Sequence, residues 1–228
     1  MVGIDDTDTT ESRGTGKLAR DIAAALCSNF KIFGVTRHQL FVHPNIPFTS
    51  HNSCAVIHVE AAVSDINHIF EITKEMMLQD FVEGSDPGLA VASENQITPA
   101  LIAFGQDAKN LVVTQQEARE IAHSSKIRFE GLGGTEGGVI GAIAGVALAS
   151  LKNDGRFLLK GRNRDLTGLC LVKEITDAGI DQVLTLKGEN IINCQVKIPK
   201  KATPSFIQGK AVLFVEERNN QLVALKMA

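Results

Sequence analysis

A run of small apolar residues near the middle of the chain, VIGAIAGVALAS at residues 139–150, constrains the fold more than any other feature. With the residues just before it, the run predicts a long helix over about residues 136–151. The run is too short to span a bilayer. Gly141 and Gly145 are four residues apart and share one helix face, where another element can approach closely. The pattern therefore predicts a tightly packed helix rather than a membrane span.

The composition is typical of a globular protein with one large domain or two small ones: 228 residues, 44% apolar and 21% charged. The four cysteines, Cys27, Cys54, Cys170 and Cys194, form no C-x-x-C pair, which argues against a zinc ribbon and indicates reduced thiols. No basic segment followed by an apolar stretch begins the chain. We therefore expect no signal peptide, a cytoplasmic location and no membrane partner.

Helical and extended patterns alternate along the chain, which predicts an α+β fold. Helical spacing marks residues 16–28, 64–81, 97–109 and 114–124, the last capped by Thr114. Extended patterns mark residues 2–5, 31–42, 54–61, 89–92 and 127–130. After Asn153-Asp154-Gly155 the pattern changes to short strands with one helix near 170–178. We place a boundary near 160, giving a first region, 1–160, and a small mixed α/β C-terminal part that is rich in strands, 161–228.

The chain opens with a polar run, GIDDTDTTESRGTGKLA, from Gly3 to Ala19. A P-loop is excluded, because Glu11 stands where its first glycine belongs and Leu18 where it needs Ser or Thr. The D-x-D-x-T pattern of haloacid-dehalogenase-like phosphotransferases fits Asp6, Asp8 and Thr10. That chemistry also needs a late acidic pair, and no adjacent Asp-Asp pair follows residue 6.

A third interpretation takes the acidic run as a nucleotide-phosphate site. Asp5, Asp6 and Asp8 crowd three carboxylates into four residues, which repel one another unless a cation is present. Their oxygen atoms suit Mg²⁺, and the Arg13–Gly16 segment leads into a helix whose N-terminus favours an anion. The alternative is structural: Asp8 or Thr15 caps the helix and the other acids are solvated.

Two further stretches are candidates for ligand contacts. The segment GLGGTEGG, Gly131–Gly138, allows close backbone approach to a ligand. The segment HPNIPFTSHNSCAV, which begins at His43, is rich in hydrogen-bond donors and stiffened by two prolines. For that second segment, an ordinary surface loop is an equally good interpretation, and its histidines lack the spacing of a zinc site.

Together these stretches resemble the catalytic region of archaeal tRNA agmatidine synthetase, which uses ATP to attach agmatine to the wobble cytidine of an isoleucine tRNA. The family's signature begins G-I-D-D-T-D, as Gly3–Asp8 do, and continues with Arg-Gly and Thr-Thr-x-Leu-Ala, which residues 13–19 resemble. The resemblance covers about residues 1–160. Three later motifs of the family resemble Ile46–Asn52 (I-P-x-x-T-x-x-N), Asp86–Gly88 (N-P-G) and Gly131–Ala142 (G-x-G-x-G-L-I-G-A).

The resemblance implies a kinase-like ATP-binding domain with a ferredoxin-like βαβ unit, here over about residues 53–125. It implies ATP and Mg²⁺ as cofactors, with Asp5, Asp6 and Asp8 as metal ligands. The implied catalytic residues are Asp6, Asp8 and Thr15. Lys17, which departs from the family, is a further catalytic candidate whose amine would neutralise a phosphate. The implied nucleotide-binding residues are Arg13, Gly14, Gly16, Asn52, Gly131, Gly133, Gly134, Thr135 and Gly138.

The sequence also departs from the family. Gly16 and Lys17 replace the neighbours of the family's reactive threonine. The Ile46–Asn52 stretch is one residue shorter than the family's motif, and Ser50-His51 stands where Arg-Gly is usual. No counterpart of the family's OB-like domain and zinc ribbon is found, so we expect a stand-alone, shortened relative for which agmatine transfer is not implied.

The predicted function is phosphoryl transfer or ATP cleavage, with RNA or a phosphorylated small molecule as the acceptor. The alternative is a non-catalytic nucleotide- or RNA-binding module that partners another enzyme. Residues 152–228 carry 13 Lys and Arg against 8 Asp and Glu, whereas residues 1–151 carry 10 against 18. If residues 160–164 are extended, Lys160, Arg162 and Arg164 form a basic stripe suited to a polyanion. A solvated strand edge is the alternative for those three residues.

Overall fold

The computed structural model describes residues 1–9, 11–46 and 51–227, which divide into two compact units, Met1–Leu151 and Lys152–Ala228. Both units mix helices and strands, so the predicted α+β class is confirmed. The division lies before the predicted boundary at 160. The reason is that the strand starting at Arg156 pairs with a later strand, at Ser205, and so belongs to the second unit.

The first unit contains five strands and five α-helices among its described residues. They are β1 (Val2–Asp5), α1 (Thr15–Leu26), β2 (Lys31–Gln39), β3 (Ser53–Glu60), α2 (Ile66–Gln79), β4 (Gly88–Val91), α3 (Pro99–Asn110), α4 (Gln115–Ser124), β5 (Arg128–Gly131) and α5 (Val139–Ser150). The strands form an antiparallel sheet in the order β5-β4-β1-β3-β2.

The first six elements follow the order βαββαβ, and their strands lie in the spatial order β4-β1-β3-β2. The two inner strands of this arrangement are β1, which pairs with β3 and β4, and β3, which pairs with β1 and β2. The predicted ferredoxin-like portion, about residues 53–125, contains β3 and β4 but not β1. The βαββαβ arrangement therefore belongs to residues 2–91 and not to residues 53–125.

The two faces of the sheet are covered by different helices. Side chains alternate along β1, so Gly3 and Asp5 face α5, while Val2 and Ile4 face the side covered by α1 and α2. Nearly every residue of α5 is buried, and α3 and α4 pack against it. A Cβ at Gly3 would lie 2.2 Å from the Ala142 carbonyl oxygen, and one at Gly145 would lie 2.7 Å from Cys54 Sγ. The predicted close approach at the glycines of α5 is thus confirmed.

Threonines cap the N-termini of α3 and α4, the two helices that pack on α5. The Thr98 hydroxyl accepts the Leu101 N–H at 3.2 Å. The Thr114 hydroxyl accepts the Glu117 N–H at 3.2 Å, and the Glu117 carboxylate accepts the Thr114 N–H at 2.7 Å. This reciprocal capping box confirms Thr114 as the predicted cap.

The second unit has a core of its own, with Ile175, Val196 and Leu213 almost fully buried. Its elements are β6 (Arg156–Leu159), β7 (Gly168–Leu171), α6 (Val172–Asp177), β8 (Gln182–Thr185), β9 (Gln195–Ile198), β10 (Ser205–Ile207), β11 (Lys210–Arg218) and β12 (Gln221–Ala224). The strands run in the order β6-β10-β11-β12-β9-β7, and β8 pairs in parallel with β11. The sequence patterns missed β7 and β10, which are only four and three residues long.

The predicted basic stripe is wrong, because β6 ends at Leu159 and residues 161–165 form a turn. The Arg162 N–H donates to the Ala178 carbonyl at 2.7 Å, and the Asn163 side chain donates to the Ala202 carbonyl at 2.9 Å. The even spacing that would align Lys160, Arg162 and Arg164 on one strand face therefore does not apply.

Across the described ranges, no helix combines the length and the apolar character needed to cross a membrane.

Candidate functional site

The first unit contains a cavity of about 300 Å³ whose wall includes the residues that follow β1. One part of the wall is acidic and consists of Asp5, Asp6, Asp8 and Asp86. Another part is apolar and includes Leu40, Ile140 and the residues that join α3 to α4. Leu111 and Val112 in that connection remain 55% and 47% exposed. The cavity thus offers both charged and apolar surface to a ligand.

The acidic part is built where β1 ends. Asp5 is the last residue of the strand, and Asp6 follows with a φ of 51°, a left-handed conformation that Asp and Asn tolerate better than most residues. The chain then turns, so that Asp8 reaches the first residue of α1. This turn brings the three carboxylates that were predicted as a cluster to one wall of the cavity.

Thr15 connects the acidic run to α1 through its hydroxyl. Thr15 Oγ1 donates to Asp8 Oδ1 at 2.9 Å and accepts a hydrogen bond from Thr7 Oγ1 at 3.0 Å. Both threonines are buried, and Thr15 is part of the cavity wall. A hydroxyl that donates to a carboxylate at the edge of a cavity is the arrangement of a nucleophile and its base.

Burial makes the carboxyl groups of Asp5 and Asp6 hard to ionise. Burial, followed by the charge of Asp6, raises the pKa of Asp5 to about 7. Burial, followed by the charges of Asp86 and Asp8, raises the pKa of Asp6 to about 6. Burial also lowers the pKa of Arg37, while Asp8 and Asp5 oppose that effect, so the guanidinium is a nearby counter-charge. A cation in the cavity would relieve the repulsion among these carboxylates.

Asp86 is a site residue that the sequence patterns missed. It lies in the turn between α2 and β4, about eighty positions from the acidic run, and its charge acts on Asp6. Its side chain accepts the backbone N–H of Thr135. The available signal was the Asp86-Pro87-Gly88 turn, which the sequence patterns marked only as a motif match.

The glycine segment contributes to the wall through its second half. Thr135, Gly137 and Gly138 line the cavity. Gly131 and Gly133 lie elsewhere: a Cβ would be 2.3 Å from Glu136 Cβ at the first position and 2.5 Å from the Phe81 ring at the second. Gly134 has a φ of +57°, and a Cβ there would be 1.9 Å from Asp86 Oδ1.

Substitutions at Gly133 or Gly134 would therefore disturb the packing of the loop itself.

The basic residues predicted before and in α1 are engaged in ion pairs. Arg13 pairs with Asp80, and Lys17 pairs with Asp21 one helical turn ahead. Neither is in the described wall of the cavity, and neither are Gly14 and Gly16. Gly14 is the N-cap residue of α1 and has a φ of 80°. No side chain caps the helix, which leaves its N-terminus suited to an anion.

The polar loop after β2 reaches the cavity through Asn45, Ile46, His51 and Asn52. The Asn52 side-chain amide donates to the Phe41 carbonyl at 2.6 Å, which ties the loop together. Residues 47–50 of the matched motif lie outside the described residues, as does Thr10 of the D-x-D-x-T pattern.

Within the described ranges, no group of three or more His, Cys, Asp or Glu side chains is arranged as a complete metal site. Carboxylates alone rarely complete a magnesium site, because Mg²⁺ is commonly held by one or two of them together with substrate phosphates and water. Asp6 and Asp8 in the cavity wall fit that role. The three-carboxylate metal set remains a prediction.

Comparison with known structures gives significant matches. A tRNA fluorescent labeling enzyme is 27% identical with a TM-score of 0.56, and the match covers 64% of this chain and 35% of that one. The complex of TiaS with an isoleucine tRNA and ATP is 26% identical with a TM-score of 0.56 and the same two coverages. TiaS is a tRNA agmatidine synthetase. The chain is similar in structure to agmatidine synthetase. The resemblance predicted from the motifs is thereby confirmed.

The similarity is partial on both sides. An uncharacterized protein of Methanocaldococcus jannaschii is 26% identical over 149 residues, which is 65% of this chain and 49% of that protein. This chain therefore spans about half of that curated relative and about a third of the agmatidine synthetase chains. No protein-family model matches the sequence.

Proposed function

We propose that the cavity binds ATP together with Mg²⁺ and that the protein transfers or cleaves its phosphates with an RNA-linked acceptor. One observation carries this proposal: the carboxylates of Asp6 and Asp8 and the Thr15 hydroxyl share a cavity wall with an apolar surface. The cavity is at the lower end of the size range of ligand pockets, roughly 300–1,000 Å³. The match to a TiaS structure that contains ATP and tRNA supports the choice of ligand class.

In this proposal the apolar wall near Leu111 and Val112 binds the adenine base of ATP, and the acidic wall binds the phosphates. Asp6 and Asp8 would hold the magnesium ion, which would neutralise the charge on the phosphate oxygens. The uncapped N-terminus of α1 adds a positive dipole end beside Thr15. Lys17 as a phosphate-neutralising residue remains a prediction, because its amine pairs with Asp21.

For phosphoryl transfer, we assign Thr15 as the first acceptor and Asp8 as its base, and the RNA-linked acceptor would then take the phosphoryl group from the Thr15 oxygen, which would regain its proton from Asp8. The Thr15 oxygen bonds to the γ-phosphorus, its proton moves to Asp8, and the bond from the γ-phosphorus to the bridging oxygen breaks to release ADP. The hydrogen bond from Thr15 to Asp8, 2.9 Å long, is the contact this transfer requires.

The finer subdivision of the fold belongs to the same proposal. We assign the βαββαβ arrangement of residues 2–91 as the ferredoxin-like part. We assign α3, α4, β5 and α5 as the remainder of the kinase-like region, of which α3, α4 and α5 contribute residues to the cavity wall. The order β4-β1-β3-β2 and its fully antiparallel pairing support this assignment.

A second candidate function is a nucleotide-dependent RNA-binding module without turnover. The observation that favours it is the excess of basic residues in the second unit, 13 against 8 acidic ones in residues 152–228. Such a surface attracts a polyanion without any chemistry.

The test is calorimetric titration of the protein with ATP, once with Mg²⁺ and once with EDTA, followed by measurement of ADP and AMP release with and without bulk tRNA. The proposal expects ATP binding that requires Mg²⁺ and nucleotide turnover. Binding without turnover in either condition would favour the module. Absence of ATP binding with Mg²⁺ would refute the proposed function.

A further inference from the structure

The segment Gly131–Gly138, here called the glycine loop, is folded around Asp86. The Asp86 side chain accepts the N–H of Thr135, and the Asp86 backbone carbonyl accepts the N–H of Gly138 at 2.9 Å. The next residue, Pro87, accepts the N–H of Leu132 at 2.8 Å through its carbonyl. Three contacts thus fasten the loop to one turn between α2 and β4.

Two glycines of the loop, Gly134 and Gly138, are explained by this contact. A Cβ at Gly134 would lie 1.9 Å from Asp86 Oδ1, and a Cβ at Gly138 would lie 2.5 Å from the Asp86 carbonyl oxygen. Both distances are too short for any side chain. The loop therefore needs glycine to close around Asp86.

The contact with Asp86 also positions the glycine loop at the cavity. Thr135 and Gly138, the two residues that bond to Asp86, both line the cavity, and so does Asp86. If the Asp86 side chain released the Thr135 N–H, this part of the wall would lose the bond that fixes it relative to Asp6. The backbone bond to Gly138 would remain and limit the movement.

The hydrogen bond from Thr135 requires an acceptor oxygen but not a negative charge. An asparagine side chain offers the same oxygen in nearly the same shape. The charge itself lies close to Asp6, in a wall that already holds three other carboxylates, where it adds repulsion toward any phosphate.

We infer that Asp86 is a positioning residue that holds the glycine loop at the nucleotide cavity through its acceptor oxygen, and that its charge is not required for nucleotide binding. This inference rests on the proposed function. It separates Asp86 from Asp6 and Asp8, whose charges that function does require.

Two substitutions at Asp86 separate the effect of its acceptor oxygen from the effect of its charge. Asp86→Asn keeps the acceptor, so it should bind ATP with Mg²⁺ as tightly as the parent does and, like the parent, should not bind ATP in EDTA. Asp86→Ala removes the acceptor and should weaken binding by about tenfold or more, the scale of one lost hydrogen bond to a charged group. Asp165→Asn, an exposed acid in the second unit, is the control and should change neither value.

Amide hydrogen exchange of Thr135 without any nucleotide provides the second readout. Its exchange should be slow in the parent and in Asp86→Asn, and faster in Asp86→Ala. Loss of Mg²⁺-ATP binding in a folded Asp86→Asn, or fast exchange at Thr135 in that variant, would overturn the inference. If the parent fails to bind ATP, the proposed function fails, while the exchange comparison still decides the positioning role. If Asp86→Ala does not fold, the comparison of Asp86→Asn with the parent decides alone.

Discussion

At the scale of single residues, the Thr15 hydroxyl joins the start of α1 to the acidic run that follows β1. It donates to Asp8 and accepts from both the hydroxyl and the backbone N–H of Thr7, at 2.9, 3.0 and 3.4 Å. All three contacts are at least partly buried, so a lost partner cannot be replaced freely by water. Thr15 is therefore a structural residue of the site as well as the acceptor we propose.

Replacement of Thr15 should separate the contribution of its side-chain volume to stability from the contribution of its hydrogen bonds. Thr15→Val keeps the volume but leaves the Thr7 hydroxyl and Asp8 without their partner, so we expect a loss of about 1–3 kcal/mol in the free energy of unfolding. Thr15→Ser keeps the hydroxyl and should lose less. Urea denaturation of both variants measures the difference. Equal stability of the valine and serine variants would contradict the hydrogen-bond network.

Asp5 should make stability depend on pH. Its pKa is about 7 in the folded protein against an ordinary value of 3.8, so the folded state binds more protons than the unfolded state between those values. Stability should therefore be highest near the ordinary pKa and fall as the pH rises toward 7. The neutral side chain in Asp5→Asn should remove this contribution. The measurement is the difference in the free energy of unfolding between parent and variant across this pH range. A difference that does not change with pH would contradict the predicted contribution of Asp5.

The residues of the site were predictable to the extent that they are neighbours in sequence. Asp5, Asp6, Asp8 and Thr15 could be grouped because they lie within one short run. Asp86 could not be grouped with them, because its place beside Asp6 depends on the pairing of β4 with β1. The ion pair of Lys17 with Asp21 was visible as a helical spacing, but the proposed phosphate role took precedence over it.

At the scale of elements, α5 lies so close to the sheet that glycines are needed on both sides of the contact. A Cβ at Gly3 would meet the backbone oxygen of Ala142 at 2.2 Å, whereas a Cβ at Gly145 would meet the side chain of Cys54 at 2.7 Å. A backbone atom can yield only if the helix moves. The strand-side glycine is therefore the more restricted of the two.

We expect Gly3→Ala to destabilise the protein by about 1–3 kcal/mol or more, the usual range for overpacked cores. Gly145→Ala should cost less, because alanine favours the helix by up to about 1 kcal/mol and the clash is with a side chain. Gly137→Ala, whose Cβ would have its nearest neighbour at 3.4 Å, is the control. Thermal unfolding gives the order, and a Gly3→Ala protein as stable as the control would refute this packing.

Elements with strong local signals were predictable, and elements defined by pairing were not. The helix at α5 and the cap at Thr114 follow from periodicity and capping chemistry alone. The assumed strand over residues 160–164 failed because backbone bonds from Asn163 to Lys160 and from Asp165 to Arg162 close a turn there. The glycine loop was interpreted as a ligand contact, whereas much of its glycine content serves the approach to Asp86.

At the scale of the whole molecule, the chain divides by structure and by charge at the same point. The compact units meet at residues 151 and 152, and the acidic excess of residues 1–151 changes there to a basic excess. All residues of the cavity wall belong to the first unit. The proposed nucleotide site and the excess of basic residues therefore belong to different units.

A protein of residues 1–151 alone should fold and bind ATP with Mg²⁺ as tightly as the full chain, because it retains the whole described wall of the cavity. It should bind bulk tRNA more weakly than the full chain at low salt, since it lacks the basic unit. Calorimetry and filter binding measure the two properties. A folded fragment that binds no ATP would show that the second unit completes the site.

The proposed binding of ATP and Mg²⁺ depends most on the carboxylates that follow β1. ATP titration of Asp6→Asn and Asp8→Asn in the presence of Mg²⁺ tests their role most directly. Asparagine preserves the shape of each side chain and tolerates the left-handed backbone at position 6. We predict that each variant loses about 1–3 kcal/mol of binding free energy, the range for a lost charge-assisted contact, while the Asp165→Asn control keeps the affinity of the parent. Unchanged ATP affinity in both variants would contradict the assignment of this wall as the site of magnesium and phosphate binding.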